Sequence, residues 1–358
     1  MQNESFEMLK CQRYLDNAAP ELDSTTWLSY QRNLPAILLT EGFEERSLGV
    51  LRAIASRGLQ VPYLLLARYE ETEHLNRQYR DEFAHLAQIV APGRHDIVWS
   101  RSDGSWISDR IQRIGRGMVL LDISGMTTRG MFAALDVLKS AGNPVLIGYS
   151  EAEEYRPTRV EWDALVGEIT GDPDEESLLA EKVDEAKWLY SGAHTVQLLP
   201  GHEGYDAAGV NALVAFLPFK PVRLGTVLDE QEYSAYVYMV GRPRLDANSW
   251  RYNALQRINT AIIREGRMVE VPTFGYRETI SALATVVAGS SGLLNEFDVH
   301  LAPMGSKLQN VACWILSSLI PAITVITSVP DTWYHDAFSH GVGDCWVFPL
   351  KFPASLRV

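Results

Sequence analysis

Apolar residues along the chain fall into short runs that alternate with longer stretches of helical spacing, separated by polar segments carrying glycine or proline. Runs at 36–39, 61–67, 96–99, 119–121 and 145–149 read as strands. Between them the spacing predicts a helix ending near Arg57, a charged helix over 70–86, a helical segment over 106–114 and an apolar helix over 132–138. Strands alternating with helices in this way predict an α/β fold with a mostly parallel, doubly wound sheet. In such sheets ligands collect at the carboxyl ends of the strands.

The pattern is sharpest at 297–316, FDVHLAPMGSKLQNVACWIL, which reads as strand, tight loop, helix. Pro303 and Gly305 punctuate the turn after Ala302, Met304 lies between them, and Ser306 has the place of an N-cap. Leu308, Val311, Ala312 and Ile315 then recur on one helix face. A loop of this kind aims backbone N–H groups and the positive end of a helix dipole above the sheet, and Lys307 adds a full charge. The natural guest is a phosphate. The same grammar occurs at 118–132, MVLLDISGMTTRGMF, where Asp122, Ser124, Gly125, Thr127, Thr128 and Arg129 separate strand from helix.

Two such loops point to an internal repeat. Phe43 to Gly49 matches Phe219 to Gly225, displaced by 176 residues. YLLLARY from Tyr63 is echoed by YVYMVGR from Tyr236, and the segment at Ser100 by that at Thr273, both displaced by 173. Arg129 answers Lys307 at 178. The expected organisation is a helical extension over 1–33, a Rossmann-like unit over 34–150, an acidic insertion with a returning strand over 151–200, and a second Rossmann-like unit over 201–358. The extension is expected to present Phe6, Leu9, Tyr14 and Leu15 along an apolar edge, and the insertion to hold one amphipathic helix with Leu178, Val183, Ala186 and Leu189 on a face. Thr195 to Leu199 supplies a sixth strand, echoed at Cys345 to Phe348.

Charge refines the functional picture. The net charge of −13 excludes the basic face that an extended nucleic-acid surface needs. The excess is segregated: 151–187 carries 13 acids against 4 bases, so the remainder is close to neutral and leaves room for local anion sites. No apolar run is long and uninterrupted enough to cross a bilayer, and the first residues lack the pattern of a secretory signal, so the expected location is cytoplasmic, with no membrane partner. Cys11, Cys313 and Cys345 have no metal-binding spacing and are expected as buried apolar residues; neither a metal nor another cofactor is expected, nor any catalytic residue.

The run Asp122 to Arg129 resembles the fourth-strand motif of CARF domains, in which an acid, a Ser/Thr-Gly turn and a Thr-Lys/Arg pair cradle cyclic-oligonucleotide phosphates, and Met304, Gly305, Ser306 and Lys307 look like a divergent second copy. Tandem units of this kind resemble SAVED domains, which read nucleotide messengers in prokaryotic antiviral defence. The resemblance implies a nucleotide-like ligand held by Glu41, Phe43, Arg46, Ser124, Gly125, Thr127, Thr128, Arg129 and residues 304–307, in a groove between the two loops. It implies also a protein partner carrying the effector, with 151–187 as the docking surface. A different class is implied by Thr40-Glu41-Gly42, similar to the first motif of TOPRIM folds, where a glutamate and a later DxD pair hold Mg²⁺ for nucleic-acid cleavage; here the second position has Asp122-Ile123-Ser124. The plain alternative is a non-catalytic subunit in which Arg129 and Lys307 pair with carboxylates at the top of the sheet.

Overall fold

The computed structural model describes residues 5–22, 34–70, 73–100, 103–205, 208–334 and 338–353, with backbone alone at 73–76 and 191–193. Two compact units divide the chain, one built from 19–156 with 335–355 and the other from 1–18 with 157–334. The units thus interleave along the sequence, whereas the expected organisation cut the chain linearly.

The first unit carries strands β1 (Ala36–Glu41), β2 (Tyr63–Arg68), β3 (His95–Trp99), β4 (Val119–Asp122), β5 (Val145–Ser150) and the short β6 (Glu154–Tyr155). The second carries β7 (Tyr190–Glu203), β8 (Asn211–Phe216), β9 (Ala235–Arg242), β10 (Arg267–Pro272), β11 (Asp298–Ala302) and β12 (Thr324–Trp333). The chain then returns to the first unit with β13 (Ser339–His340) and β14 (Cys345–Leu350). The two six-stranded sheets run β14-β5-β4-β1-β2-β3 and β10-β9-β8-β11-β12-β7. Five strands in each are parallel, in the same order, with an antiparallel strand beside the fifth. The protein is therefore two Rossmann-like units of one plan.

The sixth strands differ from expectation. The strand over 195–199 lies within β7 and pairs with β12 in the second sheet, while β14 pairs with β5 in the first. Each sheet is completed from beyond the run of its own five parallel strands. The exchange is possible because both parallel sheets end on a strand whose outer edge carries open N–H and C=O groups, and backbone pairing at such an edge hardly depends on sequence.

Central strands read as solid apolar runs because helices cover both faces. All six residues of β1 are buried, whereas the edge strand β3 has none that is fully buried. Ile37, Leu39, Leu64, Leu66, Ile54, Phe83 and Leu120 share the first core. In the second unit the helix Lys307–Leu319 is buried on almost every side, Trp314 completely, because the helices Tyr276–Ala288 and Phe6–Asn17 pack against it. The amino-terminal helix faces inward with Cys11 and Tyr14, while Phe6 and Leu9 stay exposed. The acidic insertion is two helices, Arg159–Ile169 and Glu175–Glu185, of which the second buries Leu179, Ala180 and Val183.

Candidate functional site

In both units the chain turns from the third parallel strand, β3 or β10, back across the sheet to the fourth, so the order reverses between β1 and β4 and between β8 and β11. The candidate loops follow those strands. In the first unit they meet at glycines: a Cβ on Gly125 would lie 2.8 Å from the Thr40 carbonyl oxygen, and one on Gly42 3.2 Å from Gly125 Cα. Close approach of one loop to the other requires both residues to lack a side chain.

The residues behind this contact are tied to one another. Glu41, wholly buried, accepts from Arg68 Nε at 2.6 Å and Arg80 Nε at 3.1 Å. Asp122 Oδ1 accepts from the Ser124 N–H at 2.9 Å and its hydroxyl at 2.6 Å, and the Ser124 hydroxyl oxygen accepts from Ser150 N–H at 2.8 Å. Burial pushes the Asp122 carboxyl up to about 7, against the lowering pull of Ser124 and Arg46. Its Oδ2 and the Thr40 hydroxyl are buried with no hydrogen-bond partner among the described residues. Arg46 is buried too; burial opposes its charge, but the paired Glu44 holds its pKa above the ordinary arginine value, with contacts of 3.0 and 2.6 Å. Glu44 also accepts from the Ser339 hydroxyl at 2.8 Å, and Phe43 packs against Phe338 with centroids 5.1 Å apart and the rings tilted by 59°.

The helix Thr128–Ala141 starts just beyond. Thr127 is its N-cap, its hydroxyl oxygen accepting from Gly130 N–H at 3.1 Å, while its own N–H donates to the Tyr69 hydroxyl at 2.9 Å. Thr127, Thr128 and Arg129 are half-buried at the rim. In the second unit Ser306 caps the helix Lys307–Leu319 in a capping box with Gln309, at 3.2 and 2.8 Å, and its hydroxyl donates to the Thr273 carbonyl. Gln309 Nε2 donates to the Pro272 carbonyl at 3.1 Å. Met304 is buried; Gly305 and Lys307 are half-buried. Aligned on their N-caps, Thr127 and Ser306, the loops put Lys307 opposite Thr128 and Arg129 opposite Leu308, one position away from the correspondence expected from sequence.

Of the expected ligand residues, Glu41, Arg46, Ser124 and Met304 are therefore internal, and Ser306 has its hydroxyl engaged within the loop. Phe43, Gly125, Thr127, Thr128, Arg129, Gly305 and Lys307 remain at the rims of their own units. The Glu41 and Asp122 pair is poorly suited to Mg²⁺, because Glu41 already faces two guanidinium groups and burial favours the protonated form of Asp122. Among the described residues no three His, Cys, Asp or Glu side chains are grouped to hold a metal ion.

Sequence reasoning missed the Arg68 and Arg80 clamp. The Arg68 half was legible, since the parallel register sets Glu41 beside it at the ends of β1 and β2. Also missed was an exchange of caps in the second unit. Lys220 Nζ donates to the carbonyls of Val183, Asp184 and Ala186 at 2.7, 3.0 and 2.5 Å, closing the helix Glu175–Glu185. The Asp184 carboxylate accepts from Val222 N–H at 3.1 Å, at the start of the helix Pro221–Glu230. Burial lowers Lys220 to about 8 and raises Asp184 to about 6.

No family model and no curated protein matches this chain. Among solved structures, CobK precorrin-6A reductase aligns over 81% of this chain and 86% of its own, with 13% identity and a TM-score of 0.23. A universal stress protein from Archaeoglobus fulgidus aligns over 83% and 96%, with 9% identity and a TM-score of 0.21. At such TM-scores neither likeness carries an argument. Among the described residues no helix is long and apolar enough to cross a membrane.

Proposed function

We propose that this chain is a sensor or accessory subunit that binds a nucleotide-like or cyclic-oligonucleotide-like anion and acts through a protein partner in a prokaryotic defence system. One observation carries the reading. In each unit the helix after the fourth strand starts where the strand order reverses, and a half-buried cation stands in its first turn, Arg129 in one and Lys307 in the other. Helix N-termini and charge-assisted contacts together favour phosphate. The resemblance of 122–129 to CARF loops supports the ligand class and the defence setting, and the acidic 151–187 segment supplies a surface for the partner that holds the effector.

The test is calorimetric titration of a panel of cyclic di- and trinucleotides into the wild-type chain and into Lys307→Ala and Arg129→Ala. Each variant is expected to lose about 1.5–3 kcal/mol of binding, roughly tenfold to hundredfold, for a charge-assisted hydrogen bond. Stability should move by no more than about 0.5 kcal/mol, as at surface positions. A large drop in melting temperature with unchanged affinity would assign both residues to structural pairing instead.

A further inference from the structure

Away from the strand-four loops, the second unit has an open cleft of about 400 Å³ lined by Arg159, Arg242, Ser249, Trp250, Tyr252 and Asn253. Arg242 ends β9 and Arg159 and Trp250 each begin a helix, so the cleft lies at the ligand-binding end of the sheet. Its volume is in the range of small-molecule sites, about 300–1,000 Å³. The surroundings are locally basic despite the acidic chain, with six arginines against two acids over 242–267.

The donors of this cleft are only partly engaged within the protein. Arg159 donates through Nε to Asp163 at 2.7 Å and Arg242 through Nε to Glu270 at 2.6 Å. Each pair is made through Nε, which leaves the terminal NH₂ groups outside it, and the Tyr252 hydroxyl is engaged with Glu270 and Gln256. Both ion pairs are exposed, the arginines by 59% and 57%, so they are weak and readily exchanged for a stronger anion. The aromatic wall is firm: Trp250 stacks on Trp162 with centroids 6.0 Å apart, Phe219 meets it edge-on at 6.4 Å, and the Arg159 and Arg251 guanidiniums lie 5.6 and 5.2 Å from its ring. Open guanidinium forks suit a phosphate, and aromatic rings beside them suit a planar group.

We propose that this cleft binds a nucleoside monophosphate, with the phosphate on the terminal N–H groups of Arg159 and Arg242 and the base against Trp250 and Tyr252. The site does not depend on Arg129 or Lys307, so it stands or falls separately from the function proposed above.

Calorimetric titration of the full chain with AMP, adenosine and inorganic phosphate tests it. AMP should bind saturably, with phosphate or adenosine alone at least about tenfold weaker, since each makes only part of the contacts. Arg159→Ala and Arg242→Ala should each weaken AMP about tenfold or more, with circular dichroism unchanged. Arg113→Ala, which removes an exposed ion-paired arginine of the first unit, should leave AMP affinity as in the wild type. The proposal is overturned by absence of saturable AMP binding, by unchanged affinity in the double variant of Arg159 and Arg242, by phosphate binding as tightly as AMP, or by an equal loss in Arg113→Ala.

Discussion

Asp122 departs far from the ordinary behaviour of a carboxyl group, and the cause is desolvation. Burial raises its carboxyl from the ordinary 3.8 to about 7, because hydrogen bonds from Ser124 and the charge of Arg46 compensate only in part. Between those two values the folded protein holds a proton that the unfolded chain has released. This contribution to stability is therefore complete below about pH 4 and declines as pH rises to about 7, by up to about 4 kcal/mol at 1.36 kcal/mol per unit. Asp122→Asn removes the titration while keeping an acceptor for Ser124. Urea unfolding at about pH 5 and about pH 8 should show the variant gaining on the wild type as pH rises; a difference independent of pH would mean that Asp122 is ionised in the fold. The sequence marked this residue as part of the loop motif, but not its orphaned Oδ2, which depends on what packs over it.

At the scale of elements, caps decide where helices begin and which of them belong together. Ser306 and Thr127 stand where the sequence signal for a helix start is strongest, and both cap. The exchange between Lys220 and Asp184 had no such signal, since the partners are 36 residues apart in sequence and meet only when the helix Glu175–Glu185 packs within the second unit. Lys220→Met is expected to leave three carbonyls of the helix Glu175–Glu185 unpaired and to destabilise by about 2–3 kcal/mol, the range for losing hydrogen bonds to a charged group. Thermal unfolding gives the loss, and hydrogen exchange should place it in 175–188. Unchanged protection there would show that water replaces the ammonium group.

For the whole molecule, the exchange of sixth strands has a direct consequence. Ending the chain after Tyr334 removes β13 and β14, and with them the cover on the outer edge of β5 and the contacts of Phe338 and Ser339 with Phe43 and Glu44. The first unit should then be cleaved early in limited proteolysis, while the second, which keeps all six of its strands, resists. Equal resistance of both units would mean that the five parallel strands of the first unit are sufficient. An exposed sheet edge of six residues, Val145–Ser150, is the physical reason for expecting loss.

The sequence by itself determined the periodicities and therefore the elements. It also determined the repeat, and so the common strand order of the two units, because these depend on local spacing and burial. Apolar runs at 36–39 and 119–121 became fully buried central strands, and the cap residues Thr127 and Ser306 fixed helix starts through bonds to residues three positions away. Tertiary structure alone decided which sheet takes β7 and which takes β14, since an open parallel edge accepts a strand through backbone groups that every residue shares. It also decided that Glu41, Arg46 and Ser124 face inward on partners of their own unit, because Arg80, Tyr155 and Ser150 reach them only once distant segments have packed.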